Sequence, residues 1–157
     1  MSYFILKYIH ILGACVLFGT GAGIAFFMLF AVRTKSVAVI ASVAPLVVLA
    51  DYIFTLTAVV LQPITGALLV LDVGYSFTDH WVLASLALYI FIGLCWIPVV
   101  FLQIEMKNLA LEARAAGTEL PARFHLLFKR WFILGWPAFI SIMIIFALMI
   151  EKPVALF

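Results

Sequence analysis

His10 and His80 are the residues of this sequence best equipped for chemistry. His10 lies in Lys7-Tyr-Ile-His10-Ile-Leu-Gly13, near the start of a long apolar run. His80 closes the polar break Gly74-Tyr-Ser-Phe-Thr-Asp79-His80. Two neutral imidazoles on facing elements can fill both axial positions of a haem iron, or supply part of a copper site. On a helix turning ~100° per residue, His10, Gly13, Ala14, Leu17 and Gly21 share one face, an imidazole above a floor of small side chains that suits a flat macrocycle. Lys7, one turn away, can pair with a propionate. The expected cofactor site is therefore haem b held by His10, His80, Lys7, Gly13 and Gly21, with His10 and His80 as metal ligands. A site with one histidine, or with another second ligand such as a methionine, stays open. So does the plainer reading, in which His10 reaches interfacial water and His80 is an ordinary loop residue. Gly19 and Gly23 form a GxxxG pair on roughly the opposite face, where another backbone can approach closely.

A second constellation centres on Asp51, about one turn inside an apolar run, with Arg33, Lys129 and Arg130 at the same level. An unpaired charge in hydrocarbon is costly. The structural expectation is an ion pair that fixes helix register. The functional alternatives are a proton path or a cradle for an anionic ligand. Gln62 lies in mid-run beside Pro63, and its expected role is an interhelical hydrogen bond worth ~0.6–2 kcal/mol. Pro63 frees a backbone carbonyl one turn before it. That carbonyl needs a polar neighbour, and Thr55, Thr57 and Thr65 are candidates. His125 and Lys129, four apart, read as interfacial.

Composition explains why these groups stand out. Hydrophobic residues make up 68% of the 157 residues and charged residues 10%, against roughly 45–50% and 25% for a soluble domain. The fold class is all-α, a polytopic membrane protein with room for four spans of ~20 residues. A net charge of +2 gives no footing for nucleic acid. Cys15 and Cys95 fall inside apolar runs with no C-x-x-C pattern and are expected as buried free thiols.

One membrane domain is expected over 1–157, with spans at about 3–31, 47–71, 81–102 and 131–150. The first apolar run is too long for a cleaved secretory signal and is read as a retained span. Ser36 can cap a short helix from Val37 to Ala44, which Pro45 interrupts at an interfacial turn. Residues 103–130 read as a helical extension beyond the third span, amphipathic over Gln103–Ala115 and turned at Gly117-Thr-Glu-Leu-Pro121. Trp81 and Lys129-Arg130-Trp131 read as interface anchors, and Trp136-Pro137 as a bend in the fourth span.

Seven of the nine basic residues, Arg33, Lys35, Lys107, Arg114, Arg123, Lys129 and Arg130, fall on the first and third connections or the helix ends beside them. Lys7 and Lys152 fall on the other side. The bias places the first and third connections in the cytoplasm and both termini outside, with His10 and His80 at the same outer end.

Several segments carry a resemblance. Tyr8-Ile-His10-Ile-Leu-Gly13, Phe18-Gly-Thr-Gly-Ala-Gly-Ile-Ala-Phe-Phe-Met28, Val48-Leu-Ala-Asp51 and Ala58-Val-Val-Leu-Gln-Pro-Ile-Thr-Gly66, with Trp131-Phe and Gly135-Trp-Pro137, resemble the predicted integral membrane proteins called domain of unknown function 2269. That resemblance covers nearly the whole chain and implies four membrane helices and no established activity. Lys7-x-x-His10-Ile is also similar to the first span of haem-b membrane protoporphyrinogen oxidases and of bacterial copper-resistance membrane components. This implies a ligand role for His10 and carries over nothing further except Lys7. The expected function is a small haem-b redox protein of the bacterial inner membrane, an electron carrier or oxidoreductase subunit working with a membrane redox partner or quinone. The alternatives are a non-catalytic membrane subunit or assembly factor and a copper or small-solute permease; partnership in a homo-oligomer also stays open.

Overall fold

The computed structural model describes residues 2–153. Five helices build four spans: α1 (Tyr3–Arg33), α2 (Val37–Ala50), α3 (Leu56–Val73), α4 (His80–Ala116) and α5 (Ala122–Glu151). A π-helical turn, Asp51–Thr55, joins α2 to α3, so that residues 37–73 form one helical rod. All four rods are long and apolar enough to cross a bilayer. Only 6% of the most apolar stretch of α5 is buried within the protein, so its remaining apolar surface is available to lipid.

The helix ends follow local chemistry. The Ser36 hydroxyl accepts from Val39 N–H at 3.4 Å at the start of α2. Gly74 (φ +82°) and Gly117 (φ +65°) end α3 and α4 in the left-handed region. There, Tyr75 N–H reaches Val70 O and Thr118 N–H reaches Ala113 O, each at 3.0 Å, in the pattern that satisfies terminal carbonyls. The extension beyond the third span is helical as α4 runs on to Ala116, and Pro121 precedes α5.

Pro45 does not interrupt the chain as expected. Helix α2 continues through it. Proline removes one backbone donor and crowds the preceding turn, but Ile40, Ala41, Ala44, Val47 and Val48 form one buried stripe across it. Ending the helix at Ala44 would break that stripe. Pro63 frees the Val59 carbonyl, and the partner is not a threonine: the Tyr89 hydroxyl of α4 donates to it.

In the bundle α1 packs on α2 and α3, α2 on α4, and α4 on α5, while α1 and α5 meet along a thin seam. Helices α1 and α4 are diagonal and make no extended contact. The main core lies toward the basic end, where Met28, Ile40, Met106 and Phe124 are fully buried. Ala31, Ala41, Ala44 and Ala110 surround them, and small side chains bring the backbones close. A smaller cluster of Val70, Trp81 and Val82 closes the opposite end. Trp81, at the start of α4, is turned into the bundle; Tyr75 packs edge-on to its ring, and Lys152 Nζ lies 6.0 Å from its centroid. Cys95 is buried, but Cys15 is exposed on the outer face of α1.

Candidate functional site

Asp51 is the one carboxylate buried among the described residues. It opens the π-helical turn, about 20 Å along the rod from Val37 at 1.5 Å per residue, and is 4% exposed. Its expected cationic partner is absent. Arg33, Lys129 and Arg130 are exposed, and among the described residues the ion pair formed is Arg123–Glu105. Neutral donors hold the carboxylate instead. Trp96 Nε1 donates to Oδ1 at 3.2 Å. With the Gln103 amide set so that each end meets a partner, Nε2 donates to Oδ2 at 3.2 Å and Oε1 accepts from Trp131 Nε1 at 3.0 Å. Trp131, read as an interface anchor, is thus turned inward and buried.

The π-helical turn sets what stands beside this carboxylate. Leu56 N–H bonds to Asp51 O, five residues back, in the wider turn found mostly as single insertions at functional positions. Asp51 and Thr55 both face inward while Tyr52, Ile53 and Phe54 face out. Elsewhere in this rod threonines bond to the carbonyl four residues back, as Thr57 does to Ile53 O at 2.6 Å and Thr65 to Leu61 O at 2.7 Å. Thr55 does not. Its hydroxyl, on a residue 5% exposed, makes no well-formed hydrogen bond among the described residues and faces the Asp51 side chain instead.

Both groups line a cavity of about 330 Å³ among α1, the π-helical turn, α4 and α5. Gln103 joins them, the walls are otherwise largely apolar, and three of the four tryptophans, Trp96, Trp131 and Trp136, contribute to them. Phe18 bridges the α1–α5 seam by stacking on Phe139 at 5.4 Å, and Phe146 tilts against it at 5.7 Å. About one turn toward the basic end, Gly21, Ala25, Gly135 and Trp136 line the cavity yet are exposed. The cavity therefore opens sideways, between two helices and at the level of the membrane.

The residues expected around a cofactor are spread apart. His10 Nδ1 bonds to Thr65 Oγ1 at 2.7 Å, and the ring edge lies against Gly66, 3.3 Å from where a Cβ would be. Gln62 Nε2 donates to His10 O at 2.9 Å, the interhelical bond expected of it, and its amide covers Gly13. The small-residue floor beneath His10 is thus occupied by α3. Gly21 faces the cavity instead. Lys7 lies over the Tyr3 ring, 5.5 Å from its centroid. His80 is exposed at the start of α4, the helix diagonal to α1.

Sequence reasoning missed Trp96, Gln103, Trp131 and Thr55 as members of one site. A signal exists: Trp96, Val99 and Gln103 are spaced three and four apart, on one helical face. The indoles instead carry the compositional mark of interface anchors, and Gln103 that of the polar extension.

No curated protein and no solved structure matches the chain. A family model described as "Predicted integral membrane protein (DUF2269)" matches residues 4–153. The match covers nearly the whole chain, whose four long helices are apolar enough to cross a membrane, and the chain belongs to the DUF2269 family of integral membrane proteins.

Proposed function

We propose that this protein binds a small lipophilic molecule taken sideways from the bilayer between α1 and α5, as a carrier or receptor. The observation that carries this reading is an apolar cavity open to the side between α1 and α5, with Asp51 and the weakly bonded Thr55 hydroxyl at its polar end. A ligand bearing a hydrogen-bonding group would complete the bonding of that hydroxyl. Apolar walls with a few convergent polar groups are the usual make-up of a small-molecule site. Of the functions that the sequence suggests, the small-solute permease stands nearest.

The test uses the protein's own reporters. Tryptophan fluorescence of the purified protein in nanodiscs is titrated with lipophilic amines, alcohols and quinone analogues, and saturable change is expected for at least one class. Gly135→Leu should abolish it. A Cβ at Gly135 meets nothing within 4 Å, so the added side chain fills the mouth without a clash at its base. Saturable binding unchanged by both Gly135→Leu and Thr55→Val would place the ligand elsewhere and overturn the reading.

A second reading keeps haem b on His10, in a redox protein or oxidoreductase subunit. One observation favours it: the Nδ1–Thr65 bond leaves Nε2 without a hydrogen bond among the described residues, the orientation in which a ligating imidazole is held by its other nitrogen. The covered Gly13 and the distant Gly21 do not fit a macrocycle lying on that face. A Soret band in protein expressed with ample haem, lost in His10→Ala, would support this reading; colourless, folded protein would end it.

A further inference from the structure

We propose that the ligand of the Asp51 cavity is a lipophilic cation, a protonated amine or a quaternary ammonium compound whose nitrogen lies against the Asp51 carboxylate. The proposal rests on the reading that the cavity binds small molecules, and adds the sign of the ligand's charge. The first ground is an imbalance. Asp51 is held by neutral groups alone, Trp96, Gln103 and the Thr55 hydroxyl beside it, and among the described residues no lysine, arginine or histidine lines the cavity. Neutral donors stabilise a carboxylate only in part, and an ionised group away from water is strongly stabilised by an opposite charge. An anion would meet the carboxylate and be repelled.

The second ground is aromatic. Trp96 and Trp131 use their ring N–H groups in plane, on Asp51 and Gln103. This leaves the π faces free of hydrogen bonds, although Phe128 stacks on Trp131 at 5.8 Å. Trp136 stands at the mouth, half exposed. Indole faces attract cations more strongly than other aromatic rings do, and more so when desolvated. The third ground is the route. A mouth flanked by Gly21, Ala25 and Gly135 at membrane depth admits molecules that dissolve in lipid, which excludes a hydrated metal ion. The Thr55 hydroxyl is the remaining partner, able to accept an amine N–H.

The test compares a matched pair, benzyltrimethylammonium and its uncharged carbon isostere neopentylbenzene. Tryptophan fluorescence is followed in zwitterionic nanodiscs, with each concentration corrected for partition into lipid. The cation should bind saturably and about tenfold more tightly than the isostere, and Asp51→Asn should remove the difference. Equal saturable binding of both compounds overturns the cation proposal and leaves the cavity reading standing. A cation preference that survives Asp51→Asn overturns the assignment to Asp51. Saturable binding of neither, by protein that circular dichroism shows to be helical, overturns both readings. Should Asp51→Asn fail to fold, the wild-type ratio decides.

Discussion

Thr55→Val should stabilise the protein while weakening ligand binding. Valine has nearly the shape of threonine and a similar helix propensity, so the change removes the hydroxyl and little else. At most buried threonines that removal is unfavourable, because the hydroxyl is bonded; Thr65, for example, bonds to both Leu61 O and His10. At Thr55 the π-helical turn leaves the hydroxyl without that carbonyl bond, and a weak contact with the Asp51 side chain is what remains to it. An unsatisfied buried polar group costs about 1–3 kcal/mol. Burial of the added methyl contributes up to about 0.8 kcal/mol in water-based terms, and less in a bundle whose reference state is already in lipid. The expected gain is therefore about 1 kcal/mol in unfolding free energy, read from the SDS-unfolding midpoint of protein in mixed micelles by far-ultraviolet circular dichroism. Binding of the cavity ligand, titrated on the same preparation, should weaken. A stability loss of about 0.5 kcal/mol or more, on the scale of a normal net hydrogen bond, would mean that the hydroxyl is bonded in the folded protein and would refute the argument.

Tyr89→Phe should cost about 1–2 kcal/mol by orphaning the Val59 carbonyl. Pro63→Ala restores an N–H to the same carbonyl, so the double variant should lose less than Tyr89→Phe alone; strictly additive effects in the SDS-unfolding cycle would contradict the shared acceptor. Topology is tested by parallel fusions at Phe157, where the basic bias predicts phosphatase activity and no fluorescence from a cytoplasmic fluorescent protein. The reverse pattern would overturn the predicted orientation.

The four spans were legible because ~20-residue apolar runs have few alternatives in a chain so poor in charge. The turn at Gly117 and the interhelical bond of Gln62 were legible for local reasons: a helix-ending glycine, and an amide stranded in an apolar span. The surroundings of Asp51 were not. A cation was the natural expectation for a buried carboxylate, yet two indoles and an amide replace it, directly or through Gln103. Indoles have the same sequence signature at a lipid interface as in an interior, and only the packing of α4 on α5 separates the cases. Nor does anything in Asp51-Tyr-Ile-Phe-Thr55 announce a π-helical turn, because the widened turn answers to burial on both sides of it. His10 shows the converse. Its helical face is small and smooth, as its spacing from Gly13 suggests, but α3 fills the floor beneath it with Gln62.

The π-helical turn also makes this protein's architecture sensitive to length in a way that substitutions do not probe. The wide turn absorbs one residue, so removing one residue between Asp51 and Thr55 would return the rod to unbroken α-helix and leave the 18 residues of α3 in phase with α2. Closing the same five residues into α-helix without a deletion, or adding a residue that the turn does not absorb, would swing α3 through roughly 100°. Gln62, Thr65 and Gly66 would then leave α1, and the contacts that fasten His10 would be lost together. An insertion or deletion scan across these five positions would treat the rod as a gear with a tooth count. Single deletions that keep the bundle, beside single insertions that dissolve it, would mark this one absorbed residue as slack between two halves already in phase.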